Sequence, residues 1–248
     1  MIYRLTYYWP PGSGPGVQRW LKFCKFLPEF GWQPTVITVE KGSYPNIDES
    51  LLDDIPDELE VIKTKTFEPF ALYNLLRGKK GNSVEVGMGS IKGDTSLLSK
   101  IANYVRANLF IPDARLGWNR YSYSAAIRSI RKNRPDLIIT TGPPHSTHLV
   151  GEQLKADFNI PWIADFRDPW TTIYYNSFLN RTEGSKQKDK AFEDRVLSKA
   201  DHIITATPGM QAEFESRAKS ISCIANGYDE SDFSTETREQ HSEKFILS

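Results

Sequence analysis

The stretch Ile2-Tyr3-Arg4-Leu5-Thr6-Tyr7-Tyr8, closed by Pro10-Pro11, leads through Gly12-Ser13-Gly14-Pro15-Gly16 into Val17-Gln18-Arg19-Trp20-Leu21. Residues 2–8 form a short, mostly apolar run that stops at a double proline, which predicts a buried strand. After the glycine turn, Val17, Trp20, Leu21, Cys24, Leu27 and Phe30 recur at i, i+3, i+4 spacing, the pattern of an amphipathic helix. Gly31 ends that pattern, and Pro34-Thr35-Val36-Ile37-Thr38-Val39 is a β-branched run that predicts a second strand. Strand, glycine turn, helix, strand makes one βαβ unit, expected to be parallel with a right-handed crossover.

The same alternation runs on from that unit. Strands are predicted at 59–65, 136–141, 162–166, 202–205 and 221–225. Helices are predicted at 97–110, 121–131, about 145–157, about 185–199 and from Thr207-Pro208 onward, where proline suits a first helical turn. Strands separated throughout by helix-length segments predict an α/β fold with a doubly wound parallel sheet, Rossmann-like. Two stretches break the rhythm. Residues 78–94 carry five glycines and several lysines without periodicity, and read as a loop. Residues 231–244 are polar and acidic, and read as a linker before the apolar run Phe245-Ile246-Leu247. The expected organisation is therefore one Rossmann-like domain over 1–230. Residues 231–248 are then a linker and the opening strand of a second domain that the sequence does not reach.

Composition narrows the function. Of 248 residues, 39% are apolar and 25% charged, enough for a real core in one α/β domain. Lys plus Arg equals Asp plus Glu at 31 each, without the basic excess of a nucleic-acid binder. The two cysteines, Cys24 and Cys223, cannot make a disulfide framework, read as core residues, and suit a reducing compartment. The first residues lack the apolar stretch of a secretory signal, and no run is long enough to cross a bilayer. These features predict a cytoplasmic protein, soluble or peripheral at the inner membrane.

In open α/β sheets ligands bind outside the carboxyl ends of the strands, so the residues after each strand are the candidates. Gly14 and Gly16 before a helix would let backbone N–H groups approach a phosphate or sugar, with Arg19 nearby, and the alternative is an ordinary tight turn. A dinucleotide fingerprint beginning at Gly12 would need glycine where Val17 stands, although Glu40 falls where a ribose-binding acid would. His145 in Gly142-Pro143-Pro144-His145-Ser146-Thr147-His148 would sit at a strand end, beside a helix start that Ser146 or Thr147 can cap. It can act as acid, base or hydrogen-bond donor, or simply pack. Asp165-Phe166-Arg167-Asp168-Pro169-Trp170 offers two carboxylates, a cation and an aromatic wall for a sugar, or an internal ion-pair turn. Asn226-Gly227 reads as a sharp turn into a following domain. No Cys/His spacing suggests a metal site.

Taken together, Tyr7-Tyr8-Trp9-Pro10-Pro11 with the glycine turn, Val17-Gln18-Arg19-Trp20, Ile111-Pro112-Asp113-Ala114-Arg115 with Gly117-Trp118, Gly142 to Ser146, Asp165 to Trp170, Asn226-Gly227-Tyr228-Asp229 and Asp232-Phe233 resemble glycosyltransferase family 4. The branch they resemble is the one found in bacterial capsule and lipopolysaccharide gene sets. The resemblance implies a GT-B fold of two facing Rossmann-like domains, the N-terminal one mainly holding the acceptor. It also implies retaining sugar transfer from a nucleotide-sugar to a glycan or lipid-linked acceptor, with no cofactor and no metal. His145 and Asp165 would then be catalytic, Gly14, Gly16 and Arg19 would meet the donor phosphates and sugar, and Arg167, Asp168 and Trp170 would line the acceptor side. One departure is that this turn reads Gly12-Ser13-Gly14, where the family more often has adjacent glycines. The family's nucleotide-gripping residues belong to a C-terminal domain, so residues 1–248 alone are expected to be inactive. Alternatives are a GT-B-type sugar-nucleotide epimerase, a nicotinamide-linked oxidoreductase and a non-catalytic carbohydrate-binding module. A last expectation concerns membranes. Apolar residues at 67–76, followed by Arg77, Lys79 and Lys80, and the stripe Leu97, Leu98, Ile101, Tyr104, Val105, Leu109 could lie on an anionic surface or pack on the sheet.

Overall fold

The computed structural model describes residues 1–68 and 104–232. Its centre is a seven-stranded, all-parallel sheet of order β3-β2-β1-β4-β5-β6-β7. The strands are β1 (Ile2–Leu5), β2 (Pro34–Val39), β3 (Glu60–Thr64), β4 (Leu137–Gly142), β5 (Trp162–Phe166), β6 (His202–Thr205) and β7 (Ile221–Cys223). Helices α1 (Pro15–Phe26), α2 (Asn119–Lys132), α3 (Ser146–Phe158), α4 (Glu183–Lys199) and α5 (Pro208–Phe214) connect them. This is the doubly wound Rossmann-like α/β fold expected from the sequence.

The central strands are buried on both faces, as parallel strands between helix layers must be: every residue of β1 and β2 is buried. Period-2 alternation sorts their side chains into two cores. Ile2 of β1 and Val36 of β2 face α1, joining Val17, Trp20, Leu21 and Cys24. Tyr3, Leu5 and Ile37 face the opposite layer, against Trp118, Ala125, Ala126, Val150 and Leu154. Gly31 closes the turn after α1 with φ 78°, a left-handed conformation that favours glycine.

Several boundaries differ from the sequence reading. The first strand ends at Leu5 rather than Tyr8: the Thr6 N–H still donates to the Ile37 carbonyl at 3.1 Å, and beyond it the chain leaves the ladder and brings Tyr8 to the crevice. The last strand ends at Cys223, and the chain leaves the sheet once the Ile224 N–H has donated to the Thr205 carbonyl. Cys24 is buried, whereas Cys223 is only half-buried. The helix that begins at Ser146 has no side-chain cap of its own. Asp113, from a distant loop, accepts the Ser146 backbone N–H at 2.8 Å and its hydroxyl at 2.9 Å. The predicted loop at 78–94 and most of the predicted linker and final strand lie outside the described residues. So do nearly all of the first apolar stripe and half of the second; within the described part, residues 104–109 are helical.

Candidate functional site

Strand order reverses between β1 and β4, and in this topology the crevice at the carboxyl end of that pair is where ligands bind. A cleft of about 350 Å³ lies there, lined by Tyr8, the Ser13–Val17 turn, Pro45, Pro143, Arg167, Asp168 and Asn226. The glycine turn forms one side. Gly14 adopts φ 122°, a backbone conformation that L side chains rarely take, and stands at the N-cap of α1 without a side-chain cap. No acidic residue occupies the first turn of α1, so its positive end is not offset from within the helix.

Arg167 forms the facing side. Its Nε donates to Thr141 Oγ1 at 3.0 Å and its Nη2 donates to the Pro143 carbonyl. Gly16 packs so closely on this guanidinium that a Cβ there would overlap Nη1. Burial lowers the Arg167 pKa, opposed by the charges of Asp165 and Asp168. Burial likewise raises that of Asp168, against the pull of Arg167. Tyr175, also pushed up mainly by burial, feels both Asp168 and Asp113. The cleft thus offers a helix end and a guanidinium beside a carboxylate with raised proton affinity.

Behind that surface lies a sealed layer. Asp165 is fully buried and accepts from Arg19 Nη2 at 3.2 Å, Trp20 Nε1 at 2.6 Å and Thr141 Oγ1 at 2.8 Å. Arg4, also buried, lies over the Trp9 and Trp20 rings at 5.1 and 4.4 Å, with Cys24 beside its guanidinium and no oxygen acceptor of normal geometry. Burial lowers its pKa to about 9, and Cys24, then Asp165, partly offset this.

The opposite layer carries the histidines. His145 stacks on Trp170 at 4.9 Å and 6°, and His148 stacks on Phe166 at 4.5 Å. Both rings crowd Gly142, where a Cβ would stand 2.7 Å from His148 Nε2 and 2.8 Å from His145 Nδ1. His148 Nδ1 meets Thr140 Oγ1 at 2.8 Å, while neither ring nitrogen of His145 has a hydrogen-bond partner of normal geometry. Burial, then Arg167, lowers the His145 pKa to about 3, with the Pro169 carbonyl pulling weakly the other way, so the ring is neutral near pH 7.

The structure therefore divides the residues singled out from sequence. Gly14, Gly16, Arg167 and Asp168 meet in the cleft. Asp165 does not, because all three of its hydrogen bonds are internal. Arg19 does not reach a phosphate site; it is buried and spends its donors on Asp165, the Ala225 carbonyl and Asn226 Oδ1. Trp170 is no exposed aromatic wall: it is buried, and its Nε1 donates to Asp189 Oδ1 at 2.8 Å. His145 lies just beneath the surface at 7% exposure. Glu40 is exposed at the end of β2. Sequence reasoning passed over Tyr8 as a site residue and read Asn226, though it follows a strand, only as a turn. Tyr8 also follows a strand, the signal that could have found it. Among the described residues no three His, Cys, Asp or Glu side chains group as a metal site. No helix among them is long and apolar enough to cross a membrane.

A Rossmann-like parallel sheet with a polar crevice at its switch point, one guanidinium beside one carboxylate, defines the class. Within it, residues 102–224 match the family model of the glycosyl transferase 4-like domain. The glycine turn lies outside that match. Among solved structures, sucrose-phosphate synthase from Thermosynechococcus elongatus aligns at 14% identity and TM-score 0.55, covering 94% of this chain and 49% of that one. A shorter chain of the same synthase gives 14% identity, TM-score 0.48, and coverage of 92% and 91%. UGT71G1 of Medicago truncatula, complexed with UDP-glucose, gives 12% identity, TM-score 0.49, and coverage of 90% and 51%. The chain spans about half the length of most of the structures it matches. No curated protein sequence matches it. The fold is that of one half of a GT-B glycosyltransferase.

Proposed function

We propose that this domain is the acceptor-side half of a retaining glycosyltransferase that moves a sugar from a nucleotide-sugar to a glycan or lipid-linked acceptor. One observation carries the reading: the uncapped, positively poised start of α1 and the Arg167 guanidinium face one cleft at the switch point, with Asp168 beside them. Leaving-group departure builds negative charge on the donor's diphosphate. Preorganised N–H groups and a guanidinium stabilise such charge without reorganisation at the moment of reaction. Asp168 offers an acceptor for a substrate hydroxyl. His145, neutral and without a hydrogen-bond partner of normal geometry, can give one ring N–H and one lone pair to a sugar that settles over it. A second domain supplies the nucleotide grip, consistent with a chain spanning half of the enzymes it matches. The motif resemblance supports an acceptor from bacterial surface-polysaccharide synthesis. A panel of nucleotide-sugars with the full-length protein tests this: transfer from one donor, with the anomeric configuration retained by NMR, is expected. Inversion, or hydrolysis without transfer to any acceptor, would refute the corresponding part.

A further inference from the structure

Asn226 follows β7, lines the cleft and is itself exposed. Its Oδ1 accepts from Arg19 Nη1 at 3.1 Å, and the same Nη1 reaches the Ala225 carbonyl at 3.1 Å. Arg19 is in turn fixed by the buried Asp165, at 3.2 Å. A guanidinium donates and never accepts, so only the amide oxygen can face it. The amide nitrogen must then face away from Arg19. We propose that Arg19 is a positioning residue that locks Asn226 with its Nδ2 donating into the cleft, making Asn226 a selective contact for an oxyanion such as a diphosphate.

The backbone around this amide is held independently of any ligand. Ile224 N–H donates to the Thr205 carbonyl at 2.9 Å. Lys22 and Lys25, three and six residues beyond Arg19 on α1, pair with Asp229 at 3.2 and 2.7 Å. The helix whose N-terminus forms the glycine turn therefore also fixes the segment that carries Asn226. The Gly14 turn, Arg167 and the Asn226 amide then present donors to one side of a volume that the Asp168 carboxylate also lines, which suits an oxyanion held beside a hydroxyl.

This inference rests on the phosphate reading of the cleft, and the test separates the two. Residues 1–248, labelled with ¹⁵N, are titrated with inorganic pyrophosphate while the Gly14 and Gly16 amides and the Asn226 side-chain amide are followed by NMR. The last is assigned by its loss in Asn226→Asp. All three are expected to shift with one saturation curve. Asn226→Asp, which keeps a partner for Arg19 but turns an acceptor into the cleft, should weaken binding about a hundredfold without lowering Tm. Arg19→Met should weaken it about tenfold and abolish the Asn226 shift in any sample that remains folded. Glycine shifts with a silent Asn226, and unchanged binding by Asn226→Asp, would overturn the positioning role alone. No response at either glycine would overturn the phosphate reading and this inference with it.

Discussion

Asp165 and Arg167 stand two residues apart at the end of one strand, point toward the same helix, and do opposite things. Asp165 meets Arg19 and Trp20 of α1 and is sealed from solvent, while Arg167 meets Gly16 at the helix start and opens on the cleft. Between them Phe166 faces the other layer, under His148 and Phe214. The rise of an extended chain, about 3.3 Å per residue, carries the same face from the interior to the crevice within two positions. Depth along the strand, more than residue type, separates the group that holds the wall from the group that meets a ligand.

The comparison is broken most sharply by two matched substitutions. Asp165→Asn leaves Arg19 and Arg4 without their internal anion, and breaking a buried pair costs about 3–5 kcal/mol. Denaturant unfolding should show a loss of that order. Asp168→Asn should cost under about 1 kcal/mol in the same experiment while lowering sugar transfer. Equal stability losses for the two would erase the distinction between wall and cleft.

The glycine turn gives the next largest effect. Gly14→Ala forces a side chain into φ 122°, a strain of about 1–3 kcal/mol, visible as a lower Tm. Gly16→Ala meets only the movable end of Arg167. Its stability should fall by no more than the loss of the Thr141 and Pro143 hydrogen bonds, about 1–3 kcal/mol, while pyrophosphate binding weakens at least tenfold as the guanidinium is displaced. A Gly16→Ala protein that binds like wild type would detach Arg167 from the anion site.

The histidine layer predicts a pH dependence. His145 has a folded pKa near 3 against 6.5 for a free imidazole. Below pH 6.5 the unfolded chain takes up a proton that the folded one refuses, so stability is full above 6.5 and falls as pH drops toward 3. The slope from this one group reaches at most about 1.4 kcal/mol per pH unit. His148 shifts in the same direction and adds to it. His145→Phe keeps the stack on Trp170 and should flatten the decline between pH 6 and 4 in chemical unfolding. An unchanged slope would mean that the ring is already solvated.

How far the sequence could be read follows the same line between wall and cleft. Hydrophobic period and punctuation placed β2, β5 and β6 to the residue, because buried parallel strands write their limits in β-branched runs and flanking turns. The strand ends marked the cleft, since topology alone sends Gly14, Arg167 and Asp168 to one edge. What a linear reading could not supply was depth. Asp165 and Trp170 look like surface chemistry until α1 and α4 close over them through Trp20 and Asp189. Arg19 looked like a phosphate ligand because its partners Asp165 and Asn226 lie 146 and 207 residues away. Asp113 capping α3 from 33 residues upstream is legible only in three dimensions.

The most direct measurement is kcat/KM for sugar transfer by the full-length protein, wild type against Arg167→Lys, with the donor that gives the highest rate. Lysine keeps the charge but cannot hold Thr141, Pro143 and a phosphate at once, because it lacks the planar fork. The account predicts a loss of about 100-fold, the scale of removing one preorganised donor to a developing anion, with the far-UV spectrum unchanged. Equal kcat/KM in the two proteins would contradict it, and would take the donor phosphates away from this cleft.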